Sequence, residues 1–199
     1  MANPGIKFDK KGETPLDDIS GLIPKITTRA ELDDVEAENI SDAIFKYLVE
    51  LEIEDIHFDE PFLRQVHKDM LCDVWKWAGT YRTTATSIGV DANQILHKLY
   101  HLLNDLKFWT ENWDYKETAT RLHSELVRIH PFPNGNGRWG RLVTDMWLRV
   151  YGKETSQWGK GDIVAANGVR DEYIRSLQEA ERGNYEPLKQ FIFPEKYSE

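Results

Sequence analysis

The sequence has only one cysteine among its 199 residues, no long apolar run and no excess of positive charge. Because Cys72 has no second cysteine, an internal disulfide is excluded, which favours a reducing, cytoplasmic environment. The longest apolar stretches, such as Tyr47–Val49, are a few residues long, so no segment is predicted to span a membrane. Twenty-five basic against 34 acidic residues give a net charge of -9, which disfavours direct nucleic-acid binding.

The remaining composition is typical of a folded globular chain. Hydrophobic residues make up 40% and aromatic residues 12%, enough for one substantial core. The N-terminal stretch MANPGIKFDKKGETP has no apolar signal core. We therefore expect residues 1–26 to form a polar leader and residues 27–199 to form a single domain.

Helical periodicity dominates from Thr28 onward. Thr28 and Glu31 have the spacing of a capping box, which predicts a helix from there to about Leu51. A second helix is expected after Asp59, with Pro61 in its first turn. Apolar spacing predicts further helices over about 91–109, 116–129, from the next loop to 150, 169–181 and 185–192.

A threonine-rich stretch, residues 79–90, interrupts this pattern. Its threonines and its flanking glycines favour extended backbone, so we interpret it as a short β-hairpin or flap. The predicted fold class is therefore all-α: a helical bundle with a small β-hairpin flap.

One stretch, HPFPNGNGRWGR at residues 130–141, concentrates chemically useful groups at the predicted start of a helix. Free N–H groups at a helix N-terminus favour phosphate, and Gly135 and Gly137 let the backbone approach a ligand closely. Arg138 and Arg141 lie on one side of the new helix, and His130 could accept a proton near neutral pH. An ordinary Asn-Gly turn with a capping histidine and two solvated arginines would explain the same residues.

The order of these residues resembles the signature of the Fic/Doc family, H-P-F-x-[D/E]-G-N-G-R-x-x-R, with one departure. The likeness extends over about residues 78–150, where WAGTYRTTATSIGV is similar to the family's flap. Within the family, the chain most resembles the "mobile mystery protein B" group, including TTRAEL near its start. The resemblance implies a helical bundle that transfers AMP from ATP to a hydroxyl of a target protein. A minority of the family transfers phosphate or another phosphorylated group.

The resemblance also implies a role for each signature residue. His130 would deprotonate the Ser, Thr or Tyr hydroxyl of the target, and Phe132 would anchor the loop in the core. The others would hold ATP: Gly135, Asn136 and Gly137 around the α- and β-phosphates, Arg138 along the phosphate chain, and Arg141 at the γ-phosphate. Flap residues would pair through their main chain with an extended target segment: Thr83, Thr84, Ala85, Thr86 and Ser87.

The departure is Asn134, which stands where the family has an acidic Mg²⁺ ligand. An amide oxygen can bind a hard cation but adds no negative charge, so Mg²⁺ affinity should fall. Weak use of Mg²⁺ ranks first among three consequences, ahead of a metal-independent activity and loss of catalysis.

Many family members carry an inhibitory segment, [S/T]-x-x-x-E-[G/N], whose glutamate pairs with the final signature arginine. Residues 34–39, DVEAEN, have the Glu-Asn and the spacing, with Asp34 in place of Ser or Thr. Glu38 is therefore the candidate inhibitory residue, with Arg141 as its partner. A solvated acidic helix face is the alternative interpretation.

These features predict a Fic-type protein adenylyltransferase that uses ATP, with Mg²⁺ as a provisional cofactor. One alternative is a weak or inactive nucleotide-binding regulatory module that acts with a DNA-binding partner protein. Another is a Doc-like protein kinase. The sequence identifies neither the target nor its acceptor residue, and it leaves a homodimer open.

Overall fold

Helices make up most of the chain in a computed structural model, which describes residues 21–154, 156–158 and 168–194. The described α-helices are α1 Arg29–Phe45, α2 Glu60–Leu71, α3 Ile95–Asn112, α4 Tyr115–Ile129, α5 Asn136–Val150, α6 Gly168–Glu181 and α7 Glu186–Ile192. A π-helical turn, Lys46–Glu50, continues α1, and 3-10 turns lie at Ile53–Asp55 and Ala92–Gln94. The predicted all-α class is confirmed.

Side-chain caps fix where the first two helices begin. The Thr28 side chain accepts a hydrogen bond from the Glu31 N–H at 3.2 Å, and the Glu31 carboxylate accepts from the Thr28 N–H at 3.1 Å. This reciprocal pair is the predicted capping box. Asp59 accepts from the Phe62 N–H at 2.9 Å, with Pro61 in the first turn of α2 as expected.

The helices pack in sequential pairs around one cluster of buried apolar side chains. α1 packs on α2, α3 on α4, α4 on α5, and α6 on α7. The cluster extends along the sequence from Leu32 to Phe193, and α4 and α5 contribute fully buried residues such as Leu126 and Val143. The loop between α4 and α5 is therefore carried by two well-packed helices. Among the described residues, no helix is long and apolar enough to cross a membrane.

The predicted β-hairpin at residues 79–90 is wrong, because this segment contains no strand. The reason is a side chain: the guanidinium group of Arg82 donates to the carbonyl oxygens of Thr84, at 2.9 Å, and Val90. These bonds hold the two ends of the loop together in place of a backbone ladder. We call residues Gly79–Val90 the flap.

The predicted N-terminal leader lies partly within the described region. Residues 1–20 are outside it. Residues 21–23 are bonded to the segment after α2: the Ile23 N–H donates to Val74 O at 2.9 Å, and the Lys76 N–H donates to Gly21 O at 2.8 Å. An isolated antiparallel bridge between Leu22 and Trp75 lies in the same contact.

Candidate active site

The signature loop, His130–Arg141, begins with an unusual backbone at the end of α4. His130 adopts the left-handed conformation, with φ 52°, and Gly135 does so just before α5, with φ 77°. Helix geometry leaves the N–H groups of the first turn of α5, from Asn136 to Arg138, without intrahelical partners. The loop therefore places a histidine next to an anion-attracting helix end.

The side chain of Asn136 closes this loop on itself. Its Oδ1 accepts from the Phe132 N–H at 2.9 Å, and its Nδ2 donates to Phe132 O at 2.8 Å. Asn136 is 2% exposed, so both groups are bonded inside the protein. Its side chain thus shapes the loop, and its backbone belongs to the open helix end.

Phe132 anchors the loop in the core, as the resemblance implies. The ring is fully buried and stacks on His67 with centroids 3.6 Å apart and an interplanar angle of 11°. It also meets Trp139 edge-on at 5.1 Å.

His67 joins the signature loop to the start of the flap. Its Nδ1 accepts from the Gly79 N–H at 3.0 Å, which assigns the proton to Nε2, and Nε2 lies 3.0 Å from Asn134 O. Burial lowers the pKa of His67 to about 3, opposed by the bond to Asn134, while the charge of Arg138 acts in the same direction as burial. His67 is therefore a neutral structural bridge at neutral pH.

The candidate base, His130, is half-buried beneath the flap. Burial lowers its pKa to about 4; a backbone hydrogen bond at Val127 opposes this, and the charge of Arg82 adds to it. Its imidazole is therefore unprotonated at pH 7 and able to accept a proton. Arg82 Nε donates to the carbonyl oxygen of His130 at 2.7 Å.

The first signature arginine, Arg138, pairs with a buried carboxylate from α1. Its Nη1 lies 2.6 Å from Oε2 of Glu36, a residue 102 positions earlier that is 2% exposed. The other carboxylate oxygen of Glu36 accepts from Trp75 Nε1 at 2.7 Å. Both carboxylate oxygens of Glu36 are thus bonded. The positive charge of Arg138, which would face a phosphate of a bound nucleotide, faces Glu36 instead.

The second signature arginine, Arg141, contacts a tyrosine of α6. Its guanidinium carbon lies 5.7 Å from the centroid of the Tyr173 ring. The hydroxyl of Tyr173 lies 2.8 Å from Nε2 of His123, which is fully buried. A Cβ built on Gly137 would lie 3.8 Å from Arg141 Nη1, so this arginine lies beside the first turn of α5.

The expected pair of Glu38 and Arg141 does not form. Glu38 is exposed, and no ion pair among the described residues joins it to Arg141. The pair that forms is Glu36 with Arg138. Positions two apart on an α-helix point in nearly opposite directions, so Glu38 faces away when Glu36 faces the core.

Asn134 is a poor candidate for a metal ligand. Its Oδ1 already accepts from the Gly135 N–H at 2.7 Å. Among the described residues, no cluster of three or more His, Cys, Asp or Glu side chains could hold a metal ion. A Mg²⁺ ion at this loop would therefore depend mainly on phosphate oxygens of the nucleotide and on water.

Sequence reasoning missed Glu36, His67, Arg82 and Tyr173. For Glu36 a signal was present, because Leu32, Glu36, Asn39 and Ala43 share the spacing of the buried face of α1. The other three come from distant elements and match no short motif.

The arrangement defines a class of site: a helix N-terminus with two arginines beside an unprotonated histidine, suited to a phosphate chain and to proton abstraction. Residues 57–148 match the model of the Fic/DOC family. The predicted resemblance to the Fic/Doc family is therefore confirmed over that range.

Two relatives of this chain are named protein adenylyltransferases. "Protein adenylyltransferase fic-1" of Caenorhabditis briggsae is 29% identical over 120 residues, covering 58% of this chain and 22% of that protein. A protein adenylyltransferase of Bartonella henselae is 24% identical over 179 residues, covering 76% of this chain and 31% of that protein. The chain thus spans a fifth to a third of the length of these relatives.

A solved structure shares the fold. The BepC protein of Bartonella tribocorum, determined with bound AMPPNP, aligns with a TM-score of 0.65 and 20% identity over 86% of this chain and 91% of that chain. At this identity the match supports the fold alone.

Proposed function

We propose that this protein transfers AMP from ATP to a hydroxyl of a target protein. The observation that carries the proposal is His130, unprotonated at neutral pH, at the end of α4 and beside the arginine-bearing N-terminus of α5. The protein adenylyltransferases among its relatives support it.

In the proposed reaction, the acceptor oxygen attacks the α-phosphorus of ATP. The bond from the α-phosphorus to the oxygen that bridges to the β-phosphate breaks, and pyrophosphate leaves. The hydroxyl proton moves to the imidazole of His130. The first-turn N–H groups of α5 and the two signature arginines stabilise the negative charge on the phosphates.

Two contacts must change before Arg138 and Arg141 can hold a nucleotide. Arg138 must exchange the carboxylate of Glu36 for phosphate oxygens, and Arg141 must turn from the ring of Tyr173. We propose that the ion pair of Glu36 with Arg138 inhibits the enzyme, and that Glu38 has no such role. Because Glu36 is buried and also bonds Trp75, its release requires movement of α1 or of the Glu36 side chain.

Asn134 favours a second candidate function, a nucleotide-binding regulatory module with weak or no catalysis. The residue adds no negative charge to the loop, and its amide oxygen already bonds the Gly135 N–H. Such a module would bind ATP without modifying a target, in the predicted association with a DNA-binding partner.

Cytoplasmic location remains a prediction that rests on the single cysteine.

Labelled ATP separates these functions. The purified protein is incubated with bacterial lysate and with ATP labelled at the α-phosphate or, in parallel, at the γ-phosphate. Adenylyl transfer predicts protein-bound label from α-labelled ATP alone, because the γ-phosphate leaves with pyrophosphate. Label from γ-labelled ATP alone would indicate the kinase instead, and ATP binding without protein label would favour the regulatory module.

A further inference from the structure

Arg82 was not among the site residues predicted from the sequence. It joins the flap to the signature loop through several hydrogen bonds. The side chain is 5% exposed. Its guanidinium group donates to four carbonyl oxygens: His130 at 2.7 Å, Thr84 at 2.9 Å, Ile129 at 3.4 Å, and Val90. Its backbone N–H donates to Pro131 O at 3.0 Å. Two of these acceptors lie in the flap and three lie around the candidate base.

The charge of Arg82 is held by carbonyl oxygens. None of the ion pairs found among the described residues includes it, although the carboxylate of Asp91 acts on it at longer range. A buried guanidinium group is stable only when its N–H groups are satisfied. The flap and the base-bearing loop are therefore bound to one fixed, planar group.

The flap also rests directly on the base. A Cβ built on Gly89 would lie 2.7 Å from the Cβ of His130, and the Val90 N–H donates to Ile129 O at 3.4 Å. His130 has the left-handed backbone, which non-glycine residues adopt at a cost. The bond from Arg82 to the His130 carbonyl helps to hold that conformation.

We propose that Arg82 is a positioning residue that fixes the flap relative to His130, so that a target segment bound on the flap presents its hydroxyl to the imidazole. The proposal rests on the proposed function, in which the flap binds the target and His130 is the base. Arg82 acts through the backbone of His130 and contacts no reacting atom.

The alternative is that Arg82 only stabilises the fold, and Arg149 provides a matched control for it. Arg149 also donates to two backbone carbonyl oxygens, Tyr47 at 3.1 Å and Leu51 at 2.8 Å. It lies near the far end of α5, on the order of 20 Å along the helix from Asn136 at its start, given 1.5 Å per residue. Lysine at either position keeps the charge but replaces the planar fork of five N–H donors with three donors on a single nitrogen.

The experiment compares the parent with Arg82→Lys and Arg149→Lys. We measure ATP affinity, kcat and KM for the target, and thermal stability. The proposal predicts that Arg82→Lys lowers kcat/KM for the target by about tenfold or more while ATP affinity changes by less than about threefold, because a small displacement of a base is costly. Arg149→Lys should lose stability without this kinetic loss. A folded Arg82→Lys protein with unchanged target turnover, or an equal loss in Arg149→Lys, would overturn the proposal.

A second measurement keeps the proposal testable if the parent transfers no AMP, which would reject the proposed function alone. Arg82→Met removes the charge and keeps part of the aliphatic stem. NMR should then show a higher pKa for the His130 imidazole and faster hydrogen exchange at the Val90 amide than in the parent. If Arg82→Met folds and neither quantity changes, Arg82 does not position the base.

Discussion

The signature loop and the flap are neighbours, but they are built in different ways. The signature loop closes on itself, since both bonds of the Asn136 side chain return to Phe132 four residues earlier. The flap is also bonded internally, by Arg82 to the carbonyl oxygens of Thr84 and Val90, but the same side chain bonds residues outside the flap. It is held at its start by His67 and across its ends by Arg82, which also bond the signature loop.

This difference explains why the signature loop could be predicted from the sequence and the structure of the flap could not. A loop whose bonds join residues four apart leaves a compact pattern of residue types. A loop whose bonds depend on one buried arginine and on a histidine of another helix leaves only a bias in composition, which for the flap was the bias of a hairpin.

The largest expected effect is a loss of stability, and it tests whether the Asn136 side chain holds the signature loop closed. Asn136→Ala removes two bonds and leaves the buried N–H and C=O of Phe132 without these partners, so unfolding free energy should fall by about 2–5 kcal/mol. Chemical denaturation measures this. Asn112→Ala, which removes the exposed side-chain bond to Phe108 O, is the control and should cost under about 1 kcal/mol. Equal losses would mean that the loop does not depend on Asn136.

The stability of the protein at acidic pH tests the lowered pKa values of its buried histidines. The folded-state pKa is lowered to about 3 for His67 and His123 and to about 4 for His130, while burial raises that of Asp145 to about 6. Near pH 5 the unfolded chain binds about three more protons on the histidines and about one fewer on Asp145. Stability should therefore fall by about 2.7 kcal/mol per pH unit as the pH falls.

Two substitutions check the sign of this pH dependence. His67→Gln removes one of the protons that only the unfolded chain binds. The slope of the unfolding free energy against pH should therefore decrease by about 1.4 kcal/mol per pH unit. Asp145→Asn removes the opposing group, so the slope should increase by about the same amount. Denaturation curves at several pH values between about 4.5 and 6 measure both slopes. Unchanged slopes would mean that these groups titrate as in the unfolded chain.

Asn134→Asp changes the charge of the signature loop without touching the flap. A carboxylate is the harder and more strongly binding ligand for Mg²⁺. The Mg²⁺ concentration for half-maximal transfer should therefore fall by several-fold, measured at saturating ATP. If the parent is fully active in EDTA, the reaction is metal-independent and Mg²⁺ is not a cofactor.

The smallest expected effect is confined to the flap. Thr84→Pro removes one N–H but keeps the carbonyl that accepts from Arg82, so target turnover should fall by a few-fold with little change in ATP affinity. Ala85→Thr keeps every N–H and should leave turnover unchanged. Equal turnover in the proline variant would argue against main-chain pairing with the target.

Local rules predicted the helices well and the long-range contacts poorly. The capping box of Thr28 and the cap of Asp59 depend on residues three apart, so their spacing was sufficient. Within the acidic run of α1, the family motif selected Glu38 as the inhibitory residue. The spacing of the buried residues Leu32 and Ala43 instead places Glu36 on the buried face of the helix. The links of Arg82 and His67 to the signature loop could not be predicted, because those partners lie 48 and 67 residues away.

The central claim is that His130 and the signature arginines transfer AMP once Arg138 is free. Its most direct test is protein-bound label from α-labelled ATP in Glu36→Gln, with and without His130→Ala, and with Glu38→Gln as the matched control. The account predicts more label in Glu36→Gln than in the parent, parental label in Glu38→Gln, and none in the double variant. A folded Glu36→Gln protein that binds ATP and forms no label, or a double variant that labels equally well, would contradict it.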